Sequence, residues 1–193
     1  QQGHTLVAVY GHGFLQSSAL KCMFASVTVD AVFVSGTIVN CTAPANSGGA
    51  VAVEVSNNGF DFSRSNVTYN YVSAVSVRLL SPSIGPALGS SVISVLGTGM
   101  LAGSMCRFGG VTSLAATLLS PSELLCVSPA QPSGIYALEV TSNMQDFTHD
   151  GVEFKYTEPT AVTSVQPVLG PLVGGTLVSV HGNGFMQGPG LVC

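Results

Sequence analysis

Five cysteines are the residues of this 193-residue chain best equipped for chemistry. Cys22 and Cys41 lie 19 positions apart, and Cys106 and Cys126 lie 20 apart. Equivalent placement in two stretches of the chain points to one disulfide in each, Cys22–Cys41 and Cys106–Cys126. Each would close a loop of about 20 residues, which stabilises a fold by on the order of 3 kcal/mol. The alternative is two pairs of buried free thiols on adjacent strands. Zinc has less support, because no CxxC or paired-histidine spacing occurs. Cys193 stands where each stretch has its first cysteine, and its partner is expected beyond the end. Disulfides persist in oxidising compartments, so the pairing implies an extracellular or cell-surface location reached through the secretory pathway.

Two triplets fit the N-glycosylation sequon, Asn66-Val67-Thr68 and Asn40-Cys41-Thr42. Asn66 precedes a strand and is the better acceptor; Asn40 adjoins an expected disulfide. Gly11-His12-Gly13 and Gly182-Asn183-Gly184 have part of a dinucleotide fingerprint, but no third glycine follows at the right spacing. Turn glycines supplying positive φ between strands explain them better. His4, His12, His149 and His181 share no repeat position and are expected at the surface. Asp61 and Asp146 do recur, each before a phenylalanine that reads as core, which fits a turn role. No paired carboxylates, Ser–His–Asp set or Cys–His pair stands out. The expectation is a protein that is not an enzyme, with no cofactor and no metal.

The elements that must position these residues are short strands. Charged residues make up 7% of the chain, against roughly a quarter in an ordinary globular protein. The chain is 46% hydrophobic and carries 23 Gly and 10 Pro scattered among valine-rich runs, the composition of strands joined by turns. Net charge is −4, and Lys21, Arg64, Arg78, Arg107 and Lys155 are spread out. That distribution gives no footprint for nucleic acid. No apolar run reaches the roughly 18 residues of a spanning helix, so no direct membrane insertion by this segment is expected. The start, Gln1-Gln2-Gly3-His4, lacks a basic leader region, which puts any targeting signal outside these residues.

Self-similarity organises the whole chain. Gly11-His12-Gly13-Phe14 recurs as Gly97-Thr98-Gly99-Met100 and as Gly182-Asn183-Gly184-Phe185. An apolar strand precedes each: Thr5 to Val9, Ser91 to Val95, Thr176 to Val180. Cys41-Thr42-Ala43-Pro44 matches Cys126-Val127-Ser128-Pro129, and Asp61-Phe62 matches Asp146-Phe147, each 85 positions on. Val51, Val53 and Val55 match Tyr136, Leu138 and Val140 at the same interval, all expected to face a core. Tyr69-Asn70-Tyr71 and Phe154-Lys155-Tyr156 close the unit. The boundaries that follow are 1–72, a first repeat lacking its opening strand; 73–157, complete; and 158–193, the first part of a third. Both ends are therefore expected to fall inside a domain, with the native protein continuing in both directions.

A unit of this size built of short strands is that of a small immunoglobulin-like sandwich. The order of opening strand, Pro-x-x-Gly-Pro turn, apolar strand, Gly-x-Gly-Phe, Cys-x-Phe, Cys-x-x-Pro and aromatic ending resembles the IPT/TIG domain. Val168-Leu169-Gly170-Pro171-Leu172-Val173-Gly174-Gly175-Thr176 and Cys106-Arg107-Phe108-Gly109 carry the resemblance most strongly. Met100 in place of the aromatic, Ser90-Ser91 in place of Gly-Thr, and Ala25 in place of glycine depart from it. The resemblance implies an all-β chain of tandem immunoglobulin-like β-sandwiches, truncated at both ends. The apolar composition and the two sequons lead to the expected partners: other protein chains or further repeats of the same chain, and N-linked glycans. Low surface charge favours a structural, assembly-forming surface glycoprotein of the filament, coat or appendage kind. The alternatives are the stalk of a receptor or adhesion ectodomain, plexin-like or fibrocystin-like, and, with less support, accessory domains of a secreted carbohydrate-active enzyme.

Overall fold

A computed structural model describes residues 3–113 and 116–185. The described secondary structure is strand alone, and the chain divides into two compact units, Gln1–Ala74 and Val75–Cys193.

The first unit contains β1 (Leu6–Tyr10), β2 (Lys21–Phe24), β3 (Val27–Ser35), β4 (Ile38–Thr42), β5 (Gly49–Ser56) and β6 (Thr68–Tyr71). Period-two alternation sorts their side chains between core and solvent. Cys22 and Phe24 of β2, Val39 and Cys41 of β4, and Val53 of β5 are buried, joined by Leu20 and Tyr71. Val51 and Val55 pack more loosely against this cluster. The strands follow the order β1-β4-β3-β2-β5-β6. β3 explains how one sheet can enclose one core: Val27 to Asp30 pair with β2, and from Ala31 onward the same strand pairs with β4. It passes from one layer to the other without a break.

The second unit adds β7 (Ser76–Ser81), β8 (Ile84–Pro86), β9 (Val92–Thr98), β10 (Met105–Phe108), β11 (Val111–Thr112), β12 (Ala116–Ser120), β13 (Glu123–Val127), β14 (Gly134–Thr141) and β15 (Glu153–Thr157). Its two sheets are separate, β11-β10-β14-β15-β8 and β12-β13-β9-β7. Where the first unit has β3, the described residues here form β11, paired with β10, and β12, paired with β13. Between the layers lie Ile93, Val95, Met100, Leu124, Leu138 and Val140, with an aromatic group at one side. Phe108 meets Phe154 edge-on at 5.5 Å, and Phe154 meets Tyr156 at 4.9 Å. Tyr136, expected inside, is only partly buried against this cluster. β7 and β8 flank the sheets here; in the first unit, β1 and β6 are edge strands with no such partner among the described residues.

The same unit continues into β16 (Ala161–Gln166) and β17 (Ser179–Asn183), an antiparallel pair. Its register shifts between Val162 and Ser164, as that of β7 with β9 shifts between Val77 and Leu79. The strand expected at Thr176 to Val180 begins later, at Ser179. Ser179 faces Gln166, and the next residue of the partner is Pro167, which has no N–H to extend the ladder.

Candidate functional site

Alternation directs the four inner cysteines toward the cores, where they are 0–1% exposed. The structure bonds Cys22 to Cys41 and Cys106 to Cys126, each pair 6.3 Å apart at Cα. β10 and β13 belong to different sheets, so the second bond runs through the core from layer to layer. The first joins β2 and β4, the two strands between which β3 crosses. Cys193 lies outside the described residues.

Both sequon asparagines belong to the first unit. Asn66 is exposed, with φ of 55°, a conformation that asparagine tolerates better than most residues. Asn40 is half-buried in the middle of β4, opposite Ala8 of β1 and Val32 of β3. Its neighbours Val39 and Cys41 point inward, so its amide faces outward.

The recurring Gly-x-Gly turns divide their work. Gly13, Gly99 and Gly184 have φ of 77°, 73° and 75°, as expected of turn glycines. The first glycine of each pair has no positive φ and is needed for close approach instead. A β-carbon on Gly97 would lie 1.8 Å from the Ser76 carbonyl oxygen, and one on Gly182 2.0 Å from that of Ala161. The residue after the second glycine folds back over the first: Phe14 over Gly11, Met100 over Gly97 and Phe185 over Gly182.

Asp61 and Asp146 occupy one loop geometry. The Asn58 Oδ1 accepts from the N–H groups of Phe60 (3.0 Å) and Asp61 (2.9 Å), while its Nδ2 donates to Asp61 Oδ2 (2.8 Å). Asn143 does the same with Gln145, Asp146 and Asp146 Oδ2 at 3.0, 2.8 and 2.7 Å. The phenylalanines that follow are half-buried and not core residues; the Arg107 guanidinium lies 3.6 Å above the Phe147 ring.

Sequence reasoning missed two glutamates, also 85 apart. Glu54 accepts from the Ser63 hydroxyl and from the N–H groups of Ser65 (3.1 Å) and Asn66 (3.2 Å). Burial raises its pKa, but these hydrogen bonds together outweigh burial and hold it below 4.5. Glu139 accepts from Arg107 Nε (2.9 Å) and from its terminal nitrogen (2.6 Å), with His149 Nδ1 at 2.8 Å. Both carboxylates tie the loop that follows their strand to the sheet. The available signal was the repeat interval itself. The four histidines are exposed, and the His149 contact had no sequence signature. Among the described residues no group of three or more His, Cys, Asp or Glu is placed to hold a metal ion.

A family model described as the IPT/TIG domain matches residues 1–71 and 76–156. Fibrocystin of Canis lupus familiaris is 38% identical over 72 residues, which are 37% of this chain and 2% of fibrocystin. Fibrocystin-L of Homo sapiens is 25% identical over 193 residues, covering 97% of this chain and 4% of that protein. The chain thus spans a few per cent of these relatives' lengths. Among solved structures, the full extracellular region of plexin A4 covers 94% of this chain with a TM-score of 0.50 and 19% identity, and the match takes up 16% of that chain. That is a likeness of fold. Two matched copies in tandem, each a disulfide-bearing sandwich, place the chain in the IPT/TIG domain family.

Proposed function

We propose that this chain is a non-catalytic structural segment of a larger extracellular or cell-surface glycoprotein, in which tandem sandwiches serve to build an assembly. The observation that carries the reading is how the repeated polar and sulfur groups are used. Four cysteines, two glutamates and two Asn–Asp pairs, each set recurring about 85 residues on, all hold strands and loops in place. Family membership supports a role as an ectodomain component. The assembly role is supported by 7% charge and by large apolar side chains left at the surface of the second unit: Val92 at 58%, Leu119 at 54% and Ile135 at 62% exposure. Surfaces of that kind fit protein partners or further repeats.

The repeat boundaries proposed are 1–72, 73–157 and 158–193, and Asn66 is proposed as a glycan acceptor. A second reading, the stalk of a receptor or adhesion ectodomain, is favoured by the likeness to the plexin A4 extracellular region. Negative-stain imaging of the native protein separates the two. A polymer or sheath with a lateral repeat is the expected result. Isolated, monodisperse monomers that bind a soluble ligand would overturn the assembly reading in favour of the stalk.

A further inference from the structure

The outward face of the β1–β4–β3 layer is the most apolar exposed sheet surface of the first unit. Leu6 and Tyr10 of β1 are 49% and 74% exposed, and Val32 and Val34 of β3 are 64% and 51% exposed. Asn40 stands in the middle strand between them, level with Ala8 on one side and Val32 on the other. Thr42, which completes the sequon, lies two residues on in the same strand and is exposed. The single glycan acceptor on this face therefore sits at the centre of its apolar surface.

The second unit supplies an internal comparison. At the position of Asn40 it has Leu125, and no sequon. Where the first unit has Ala8 and Val32, the second has Ser94 and Thr117, and the Ser94 hydroxyl donates to Glu123 Oε1 at 2.7 Å across the same face. The rest of that face stays apolar, with Val92 and Leu119 at 58% and 54% exposure where the first unit has Leu6 and Val34, so the acceptor marks the first copy's face alone.

We infer that Asn40 carries an N-linked glycan that lies over the apolar face formed by Leu6, Ala8, Tyr10, Val32 and Val34. The C–H faces of sugar rings pack well on exposed aromatic and aliphatic side chains, while their hydroxyls meet water. Glycan is added to the extended chain before β4 is locked into the sheet, so a strand position is open to modification. It must then point outward in the folded state, as Asn40 does. A bulky, solvated glycan at this point withdraws the face from contact with other chains. Assembly surfaces must then lie elsewhere. The inference rests on passage through the secretory pathway.

Glycopeptide mass spectrometry of the native protein, with enzymatic release of glycan in heavy-oxygen water, reads both sequons. The expected result is glycan on Asn40. Asn66 occupied with Asn40 bare would overturn the inference while leaving the secretory reading intact; both sites bare would overturn the two together. Shielding is tested on the full-length secreted protein by binding of a hydrophobic fluorescent dye. N40Q and T42A each remove the sequon and should give a several-fold rise, whereas N66Q should not. Adding V32T to N40Q should reverse much of that rise if the exposed face is its source. Unchanged dye binding in folded N40Q and T42A would overturn the shield.

Discussion

The two glycines of each Gly-x-Gly turn fail differently when replaced. At Gly97 the obstacle is backbone: any β-carbon meets the Ser76 carbonyl at 1.8 Å, and neither atom can rotate away. Gly97→Ala is expected to destabilise the second sandwich by about 1–3 kcal/mol, the range for overpacking that the backbone must absorb. At Gly13, φ is 77° but a β-carbon would meet nothing within 4 Å. Gly13→Ala should lose roughly 1 kcal/mol, and Gly13→Asn less, because asparagine adopts left-handed backbone more readily. Chemical denaturation of each variant checks the contrast; equal losses at both positions would contradict it. The pattern announced the turns, but residue type alone could not separate the glycine that needs a dihedral angle from the one that needs empty space.

Between strands, the glutamates at 54 and 139 perform one task with different partners. Glu54 draws on a hydroxyl and two backbone N–H groups; Glu139 draws on Arg107 and His149. The repeat spacing makes the shared position legible. It cannot reveal the partners, because backbone donors have no sequence signature and Arg107 comes from another strand. Since hydrogen bonds hold the Glu54 carboxyl below 4.5 against the effect of burial, the stability it contributes is fully present above the unfolded value and is lost as pH falls through the folded one. Glu54→Gln should flatten that acid-side loss. Glu54→Ala should speed hydrogen exchange at the Ser65 and Asn66 amides, by roughly 1 kcal/mol of local protection. Unchanged exchange would mean that the loop is held by other contacts. Strand continuity was less legible. β3 runs unbroken through Val27–Ser35, whereas its counterpart leaves the strand at Ser113, which stands where the first copy has Val29 and whose hydroxyl donates to the Val127 carbonyl and accepts from its N–H.

Over the whole chain, the fold class, the repeat interval and the cysteine positions were readable because hydrophobic alternation and an 85-residue period leave marks at many positions together. Which strands share a sheet was not, since pairing depends on contacts distant in sequence. The disulfides joining β2 to β4 and β10 to β13 are expected to stabilise each sandwich by on the order of 3 kcal/mol. Replacing Cys106 and Cys126 together with serine should lower the second sandwich's denaturation midpoint and leave the first unchanged. Non-reducing peptide mapping should recover Cys22 with Cys41 and Cys106 with Cys126; free thiols at these positions would contradict the pairing. The same bonds also set how the chain answers tension. If a sandwich is pulled open from its ends, the segment between its two cysteines stays out of the load path, 19 residue steps in the first copy and 20 in the second. At about 3.4 Å per residue, each opened sandwich is denied roughly 65 Å of extension. Each is a tether with a built-in stop.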